Sequence, residues 1–353
     1  MSIITSLLVL SFLIFFHELG HFIAARYFGV SVEVFSIGFG KKVFSKMYND
    51  TEYRISMIPL GGYVQMKGQD DTDPTKISHD EDSYNTKKPW QRILILFAGP
   101  FANFLLAFLL YVAIGNIGVN KFVPTIGNIS KNSPAQISGL MHGDKVLSIN
   151  NNPIKTWDEL SDKIKNSNGT LLFKIKRKNE IREISITPKI HSYKSMFGEK
   201  LQKKMVGITP IGEVLTLRLN FYQSITYAVE QTKMATTMIV TSLQKLIEGI
   251  IPAKDLGGIV SIVQVTAEAS KIGIVALFGL TALISVNLGV LNLLPIPALD
   301  GGHIVFNIYE MITKRAPSEK VLYYLTLTGW AILLSLMSFT IFNDIYRLVG
   351  GKL

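Results

Sequence analysis

Apolar residues are concentrated in long uncharged stretches that polar segments separate. Four stretches contain no Lys, Arg, Asp or Glu: residues 1–16, 93–120, 272–299 and 321–343. Their lengths are near or above the roughly 20 residues that a helix needs to cross a bilayer. Because lipid offers no partners to backbone polar groups, each stretch is expected to be a helix. The pattern therefore predicts an integral membrane protein with four transmembrane helices.

The segments between these stretches predict folded insertions. Residues 32–67 alternate apolar and polar positions with glycines at likely turns, which predicts a β-hairpin or small sheet close to the membrane. Residues 69–88 are acidic and polar, which is typical of a flexible loop. A soluble α/β unit is expected from about residue 121 to 213. Residues 221–251 have a helical pattern interrupted by charges, which favours helices lying along the membrane interface.

The charge distribution orients these segments. Basic residues are concentrated between the first two uncharged stretches, so this loop is predicted to face the cytoplasm and both termini to lie outside. No basic segment precedes the first stretch, which argues against a cleaved signal peptide. The predicted divisions are a first transmembrane helix at 1–28, a cytoplasmic hairpin and loop at 29–91, a second transmembrane helix at 92–118, an external domain at 119–215, external interfacial helices at 216–270, a third transmembrane helix at 271–300, a cytoplasmic segment at 301–319 and a fourth transmembrane helix at 320–346.

Composition narrows the function classes. The mean hydropathy of +0.30 is too high for an ordinary soluble enzyme. The net charge of +10 does not indicate nucleic-acid binding, because many basic residues, including the run at 174–178, alternate with apolar ones as on a solvated strand face. Anionic lipid headgroups are the second interpretation of that run. The chain has no Cys, so a metal site must use imidazole and carboxylate ligands.

The first apolar stretch leads into His17, Glu18 and His21. Positions i and i+4 share one face of a helix, so both histidines can bind one ion with Glu18 beside it. Zinc accepts imidazole ligands and keeps a position for water in catalytic sites, where Glu18 would act as the general base. Ionisable groups in a membrane helix indicate a functional site. The alternative is a helix end whose polar residues reach the headgroups.

A third metal ligand must come from elsewhere, because the residues after His21 do not match the pattern of soluble zinc proteases. The uncharged stretch 272–299 ends in Pro295 and Pro297, which cannot both remain in a regular helix. Asp300 follows this break and is the favoured third ligand. Its alternative role is to cap the next helix, and His303 is the rival ligand.

Together these motifs resemble the site-2 protease family, and specifically its RseP-type bacterial branch. The histidine motif in the first span, the Asn292-x-x-Pro-x-Pro-x-Leu-Asp-Gly element in the third and the Gly-Pro-x-x-Asn element ending at Asn103 carry the resemblance. It implies one catalytic zinc ion held by His17, His21 and Asp300, with Glu18 as the base. The substrate contacts that it implies are Asn292, Pro295, Pro297, Gly61, Gly62 and Tyr63. The last three belong to a hairpin resembling the family's membrane-reentrant β-loop, although a purely structural hairpin is the alternative.

Residues 133–150 resemble a PDZ domain in the permuted bacterial form, and the insertion has room for one such domain where RseP-type proteins carry two. Residues 206–210 are a candidate carboxylate-binding loop; alternatively, the domain filters substrates by bulk. The fold class predicted is a polytopic α-helical membrane protein with four transmembrane helices, a membrane-associated β-hairpin and one inserted α/β PDZ domain.

The resemblance implies a multi-pass protein of the bacterial inner membrane with its active site near the cytoplasmic side. Its substrates would be single-span membrane proteins, such as anti-sigma factors already cut by an upstream site-1 protease, and remnant signal peptides. Membrane lipid is an expected partner and nucleic acid is not. Two rival functions remain: a PDZ membrane scaffold with a vestigial metal site, and a zinc transporter.

Overall fold

A computed structural model describes residues 2–69, 78–194 and 199–349 of the protein. Residues 70–77, in the middle of the predicted flexible loop, lie outside the described residues. The chain forms two compact units: one combines the chain up to Gly115 with the chain from Phe221 onward, and the other is Asn116–Asn220. The second unit covers the segment for which the sequence predicts an α/β insertion.

The helices and strands follow one another in this order: α1 (Ser2–Tyr27), β1 (Val32–Tyr48), β2 (Thr51–Met66), α2 (Pro89–Ile117), β3 (Val119–Phe122), β4 (Ile126–Ile129), α3 (Pro134–Ile137), β5 (Lys145–Ile149), β6 (Asn152–Pro153), α4 (Trp157–Lys165), β7 (Leu171–Arg177), β8 (Glu180–Ile186), β9 (Lys189–Lys194), β10 (Lys200–Met205), β11 (Ile208–Pro210), β12 (Val214–Leu217), α5 (Phe221–Ile247), α6 (Ile259–Ile272), α7 (Ile274–Asn292), α8 (Asp300–Thr313) and α9 (Glu319–Leu348). Short 3-10 turns at Tyr84–Thr86 and Ala253–Asp255 complete the set.

Four helices among the described residues are long and apolar enough to cross a membrane: Ile4–Tyr27, Pro89–Ile117, Ile274–Asn292 and Lys320–Leu348. They agree with the four predicted spans. Large apolar side chains such as Leu8 and Phe342 are more than half exposed, which fits a surface that contacts lipid. Helix α1 continues past residue 16 to Tyr27, so the histidine motif lies inside the helix rather than at its end.

The third apolar stretch is broken where its prolines predict. Helix α7 ends at Asn292, and α8 begins only at Asp300. Gly301 and Gly302 then allow the first turn of α8 to pack on the intervening loop. A Cβ atom on Gly301 would lie 2.4 Å from the carbonyl oxygens of Leu293 and Leu294. The loop therefore fixes the position of Asp300.

Strands β1 and β2 form a small antiparallel sheet rather than a simple hairpin. Residues 34–37 pair on one side with 52–55 and on the other with 62–65, so Ser36 lies between Arg54 and Tyr63. Gly38 and Gly40 have φ values of 91° and 86°, a region that favours glycine, and the pairing register of β1 shifts around them. Residues 62–65 pair on one side only within the described chain, which makes them an edge. The predicted hairpin or small sheet is confirmed.

The second unit has its own core. Its largest sheet has the order β6-β5-β7-β8, and Phe173, Ile175 and Ile149 on it are almost fully buried with Leu160 of α4. The carboxylate of Asp144 is fully buried and accepts two hydrogen bonds of 2.8 Å from Arg177. The unit is thus an α/β insertion, as predicted. Its assignment as a PDZ domain stays a prediction.

Candidate metal centre

His17 and His21 lie one helical turn apart on α1 and aim the same ring atom at one point. Their Nε2 atoms are 3.2 Å apart. Oδ2 of Asp300 lies 3.3 Å from Nε2 of His17 and 3.5 Å from Nε2 of His21. The three residues form the candidate metal-binding group found among the described residues. The structure therefore brings the three predicted ligands together from two separate parts of the chain.

The donor atoms suit a zinc ion. Ligands at the usual zinc distance of about 2.0–2.1 Å in a tetrahedron stand about 3.3 Å from one another, close to the three separations here. Oδ2 of Asp300 is buried and has no hydrogen-bond partner among the described residues. A buried carboxylate oxygen without a donor is costly, and a cation bound by the two imidazoles would satisfy it. Asp300 is the first residue of α8 rather than its N-cap, which is Leu299.

Helix α2 contacts the His21 ring through a backbone carbonyl group. Nδ1 of His21 lies 2.9 Å from the carbonyl oxygen of Ile95, which can only accept, so Nδ1 carries the proton. This leaves the lone pair of Nε2 for a metal. A Cβ atom on Gly99 would lie 2.2 Å from Nε2 of His21, and one on Gly20 would lie 2.2 Å from the carbonyl oxygen of Ala98. The two glycines therefore permit the close contact between α1 and α2.

Two asparagines flank His17. The side-chain nitrogen of Asn292 lies 3.2 Å from Nε2 of His17, and that of Asn103 lies 3.1 Å from Nδ1. The family resemblance implies that Asn292 contacts the substrate, and the structure places its side chain beside the candidate metal position. Sequence reasoning gave Asn103 no role.

Two cavities adjoin the candidate metal site, one of about 540 Å³ and one of about 310 Å³. Glu18 and Gly62 line both cavities, Tyr63 lines the larger, and Gly61 and Asn292 line the smaller. His303 also lines the larger cavity but is not one of the three clustered ligands. The predicted substrate residues thus meet at one cleft, with the exception of Pro295 and Pro297. These two line neither cavity and instead shape the loop before Asp300.

Phe39 and Trp330 line both cavities, and sequence reasoning missed them. Phe39 stacks against Tyr63 with ring centroids 6.2 Å apart. A Cβ atom on Gly61 would lie 1.7 Å from the Phe39 ring, so only glycine leaves room for this aromatic residue. Trp330 comes from α9. No motif marks these aromatic side chains in the sequence, because their role depends on how the sheet and α9 pack.

Charged residues of the small sheet hold Tyr63 in place. Nη1 of Arg54 donates a 3.0 Å hydrogen bond to the Tyr63 hydroxyl. Arg54 also donates to Glu52, and Nζ of Lys42 lies 2.6 Å from the same carboxylate. Hydrogen bonds from Arg54 first and Lys42 second lower the pKa of Glu52 from its ordinary 4.5 to about 2. The carboxylate therefore stays ionised at neutral pH and keeps Arg54 oriented towards Tyr63.

Comparison with known proteins agrees with this geometry. A family model described as peptidase family M50 matches residues 5–336. A Campylobacter jejuni protein named as a zinc metalloprotease is 49% identical over 347 residues, which cover 98% of this chain and 94% of that protein. A Helicobacter pylori protein with the same type of name is 41% identical over 353 residues, covering 98% of this chain and 99% of the relative. The regulator of sigma-W protease RasP of Bacillus subtilis is 29% identical over 425 residues, covering 98% and 99%.

Proposed function

The chain belongs to peptidase family M50 and is a zinc metalloprotease, and on that premise we propose that it cleaves single-span membrane proteins within the membrane. One observation carries the proposal. Among the three clustered side chains, His17 and His21 lie on α1, and Asp300 begins α8 after the loop that follows α7. Helices α1 and α7 are both candidate membrane spans. Glu18 lines the adjoining cleft. A peptide bond in that cleft would be hydrolysed at membrane depth.

In the proposed reaction His17, His21 and Asp300 would hold the zinc ion. When bound, zinc supplies Lewis acidity and makes water nucleophilic near neutral pH. Glu18 follows His17 on α1 and is proposed to accept a proton from the attacking water. As the carbon–nitrogen bond breaks, Glu18 returns the proton to the departing amine. The products are one new carboxyl group and one new amino group.

Substrate binding is proposed to use the free edge of the small sheet. A helical substrate must unwind before its peptide bond can react, and its released backbone groups then need partners. Among the described residues, 62–65 pair on one side only and so offer an edge to which an extended peptide can add as a strand. Gly62 of this edge lines both cavities, and Asn292 lines the smaller one with it. We assign Asn292 to the backbone of the substrate next to the cleaved bond.

The proposed substrates are anti-sigma factors already cut by an upstream site-1 protease, and remnant signal peptides. The name of the RasP relative, a regulator of sigma-W, supports the first class. We place the protein in the bacterial inner membrane, with both termini outside and the cleft near the cytoplasmic side. The basic residues between α1 and α2 support this orientation.

We also propose that the unit Asn116–Asn220 is a single permuted PDZ domain that selects substrates. Its compact α/β fold and separate core support this assignment. In the candidate carboxylate-binding loop, the carbonyl oxygens of Val206 and Gly207 accept hydrogen bonds from Ala135 and Ser130, and the following strand β11 pairs with β4. The loop is thereby held at the edge of a strand pair, a position suited to binding a peptide end or to filtering by bulk.

The test is cleavage of a tagged single-span substrate by the purified full chain in liposomes. Glu18→Gln keeps the size of the side chain and removes the base, so cleavage should fall by at least about 100-fold. Zinc content should not change. Glu33→Gln is the matched control: it makes the same substitution at an exposed position of β1 and should leave cleavage unchanged. Equal cleavage by the wild-type and Glu18→Gln proteins would remove the mechanism, and no cleavage by the wild-type protein would favour a scaffold or a transporter.

A further inference from the structure

We propose that Asn103 is a positioning residue that holds the His17 imidazole in the tautomer and orientation needed for metal binding. The inference rests on the metal site of the proposed function. Asn103 lies on α2 and is fully buried. Its side-chain nitrogen is 3.1 Å from Nδ1 of His17, the ring atom that faces away from His21 and Asp300. Asn103 therefore contacts the His17 ring on the side opposite the candidate metal position.

Metal binding by His17 through Nε2 requires one of the two orientations of this amide. With the side-chain nitrogen towards Nδ1, the ring would have to carry its proton on Nε2, the atom that faces the other two ligands. The amide oxygen would then stay buried without a hydrogen-bond partner, as Oδ1 is among the described residues. The oxygen and nitrogen of an amide are told apart by their hydrogen bonds. Interchanging them lets Oδ1 accept from Nδ1–H and frees the lone pair of Nε2.

This arrangement repeats what α2 does for His21. There the carbonyl oxygen of Ile95 accepts from Nδ1 at 2.9 Å. Metal-binding histidines commonly donate their second ring N–H to such an acceptor, which fixes the ring and raises its basicity. Helix α2 thus supplies one acceptor to each histidine, from the backbone for His21 and from the Asn103 side chain for His17.

Asn103 is itself anchored. The Ser285 hydroxyl, on α7, donates a 2.7 Å hydrogen bond to the carbonyl oxygen of Asn103, and both residues are fully buried. Helix α7 ends at Asn292, which contacts the other ring nitrogen of His17. Asn103 and Asn292, which contact the two ring nitrogens of His17, therefore lie on α2 and α7. The hydrogen bond from Ser285 to Asn103 joins these two helices.

A buried amide could instead serve only to fill space between helices, and two substitutions separate these roles. Asn103→Asp keeps an acceptor for Nδ1–H at similar size, whereas Asn103→Leu keeps the size and removes the acceptor. Zinc affinity is measured by chelator competition and elemental analysis on the purified full chain in detergent. Loss of such an acceptor typically lowers metal affinity 10–100-fold. We expect that loss in Asn103→Leu and affinity within about threefold of wild type in Asn103→Asp.

Asn307→Leu is the matched control, because Asn307 is a buried asparagine that donates to the His303 carbonyl in its own helix. It should keep wild-type zinc affinity. If Asn103→Leu fails to fold, as judged by thermal unfolding, Asn103→Ala tests the same loss with less crowding. Wild-type zinc affinity in Asn103→Leu and Asn103→Ala, or equal losses in the Asp and Leu variants, would overturn the proposal.

The outcome is distinguishable from failure of the proposed function. His17→Ala is included as a reference that removes the ligand itself. Unchanged zinc affinity in His17→Ala would disprove the assignment of the whole metal site. A wild-type protein that binds zinc but cuts no substrate would sink the proteolytic function and leave the role of Asn103 standing.

Discussion

Two glycines, Gly20 on α1 and Gly99 on α2, allow α2 to support both histidines of α1. Gly20 lets the helices approach, and Gly99 leaves space for the His21 ring. Small residues at helix contacts are a general means of close packing in membranes. Here the close approach also has a chemical use, because it brings Ile95 and Asn103 within hydrogen-bonding distance of the two rings.

Gly99→Ala should therefore reduce zinc binding. The new methyl group would lie 2.2 Å from Nε2 of His21, so the ring or the helix must move. We expect a loss of stability of about 1–3 kcal/mol, typical of overpacking, and weaker zinc binding in chelator competition. Gly279→Ala is the control, since its methyl group would meet only Ile114 at 3.9 Å. Equal zinc affinity in both variants would contradict this account.

The site residues that could be predicted from the sequence are those whose positions follow from local geometry. The spacing of His17 and His21 places them on one helix face, and the prolines before Asp300 mark a break at membrane depth. The contributions of Gly99, Asn103 and Trp330 could not be derived in this way, because each depends on which helix packs beside which. The Gly-Pro-x-x-Asn element was the one signal for Asn103, and it carried no role without the contact to His17.

At the scale of elements, α9 closes one side of the cleft through a backbone contact. A Cβ atom on Gly329 would lie 2.7 Å from the backbone nitrogen of Ala298, so α9 packs directly on the loop before Asp300. The next residue, Trp330, then lines both cavities together with Phe39. The two aromatic side chains narrow the space in which side chains next to the cleaved bond must fit.

Trp330→Ala should therefore broaden the range of residues accepted around the cleaved bond. Substrates with large side chains at those positions should gain cleavage relative to substrates with small ones, because the wall of the cleft recedes. The measurement is a set of model substrates that differ only at these positions, with cleaved fractions compared by gel. Trp90→Ala is the control, since Trp90 packs against Phe28 and lines neither cavity. An unchanged preference in Trp330→Ala would refute the assignment.

At the scale of the whole molecule, composition predicted an α/β unit at about residues 121–213, and the resemblance to a PDZ domain set its bounds at 119 and 215. The predicted boundaries at 119 and 215 lie within five residues of the observed unit Asn116–Asn220. The shift from uncharged stretches to mixed polar sequence is a strong signal for leaving the membrane. The internal arrangement of the small sheet was not predictable, because the pairing of residues 34–37 with two partners depends on contacts distant in sequence.

Each unit has its own core, so damage to the insertion should leave the metal site intact. Arg177→Leu removes the partner of the buried Asp144 carboxylate and leaves a charge without compensation. Breaking such a pair costs on the order of 3 kcal/mol, at the lower end of the usual range because Arg177 is partly exposed. Hydrogen exchange should speed up across β5, β7 and β8 while zinc affinity stays at the wild-type value.

Arg182→Leu provides the comparison within the same sheet. Arg182 pairs with Glu180, and both side chains are more than half exposed, so solvent screens this surface ion pair and it contributes little to stability. Its loss should change neither hydrogen exchange nor zinc affinity appreciably. If Arg177→Leu lowered zinc affinity while Arg182→Leu did not, the two units would be energetically coupled. The insertion would then act on the metal centre itself and not only on the choice of substrate.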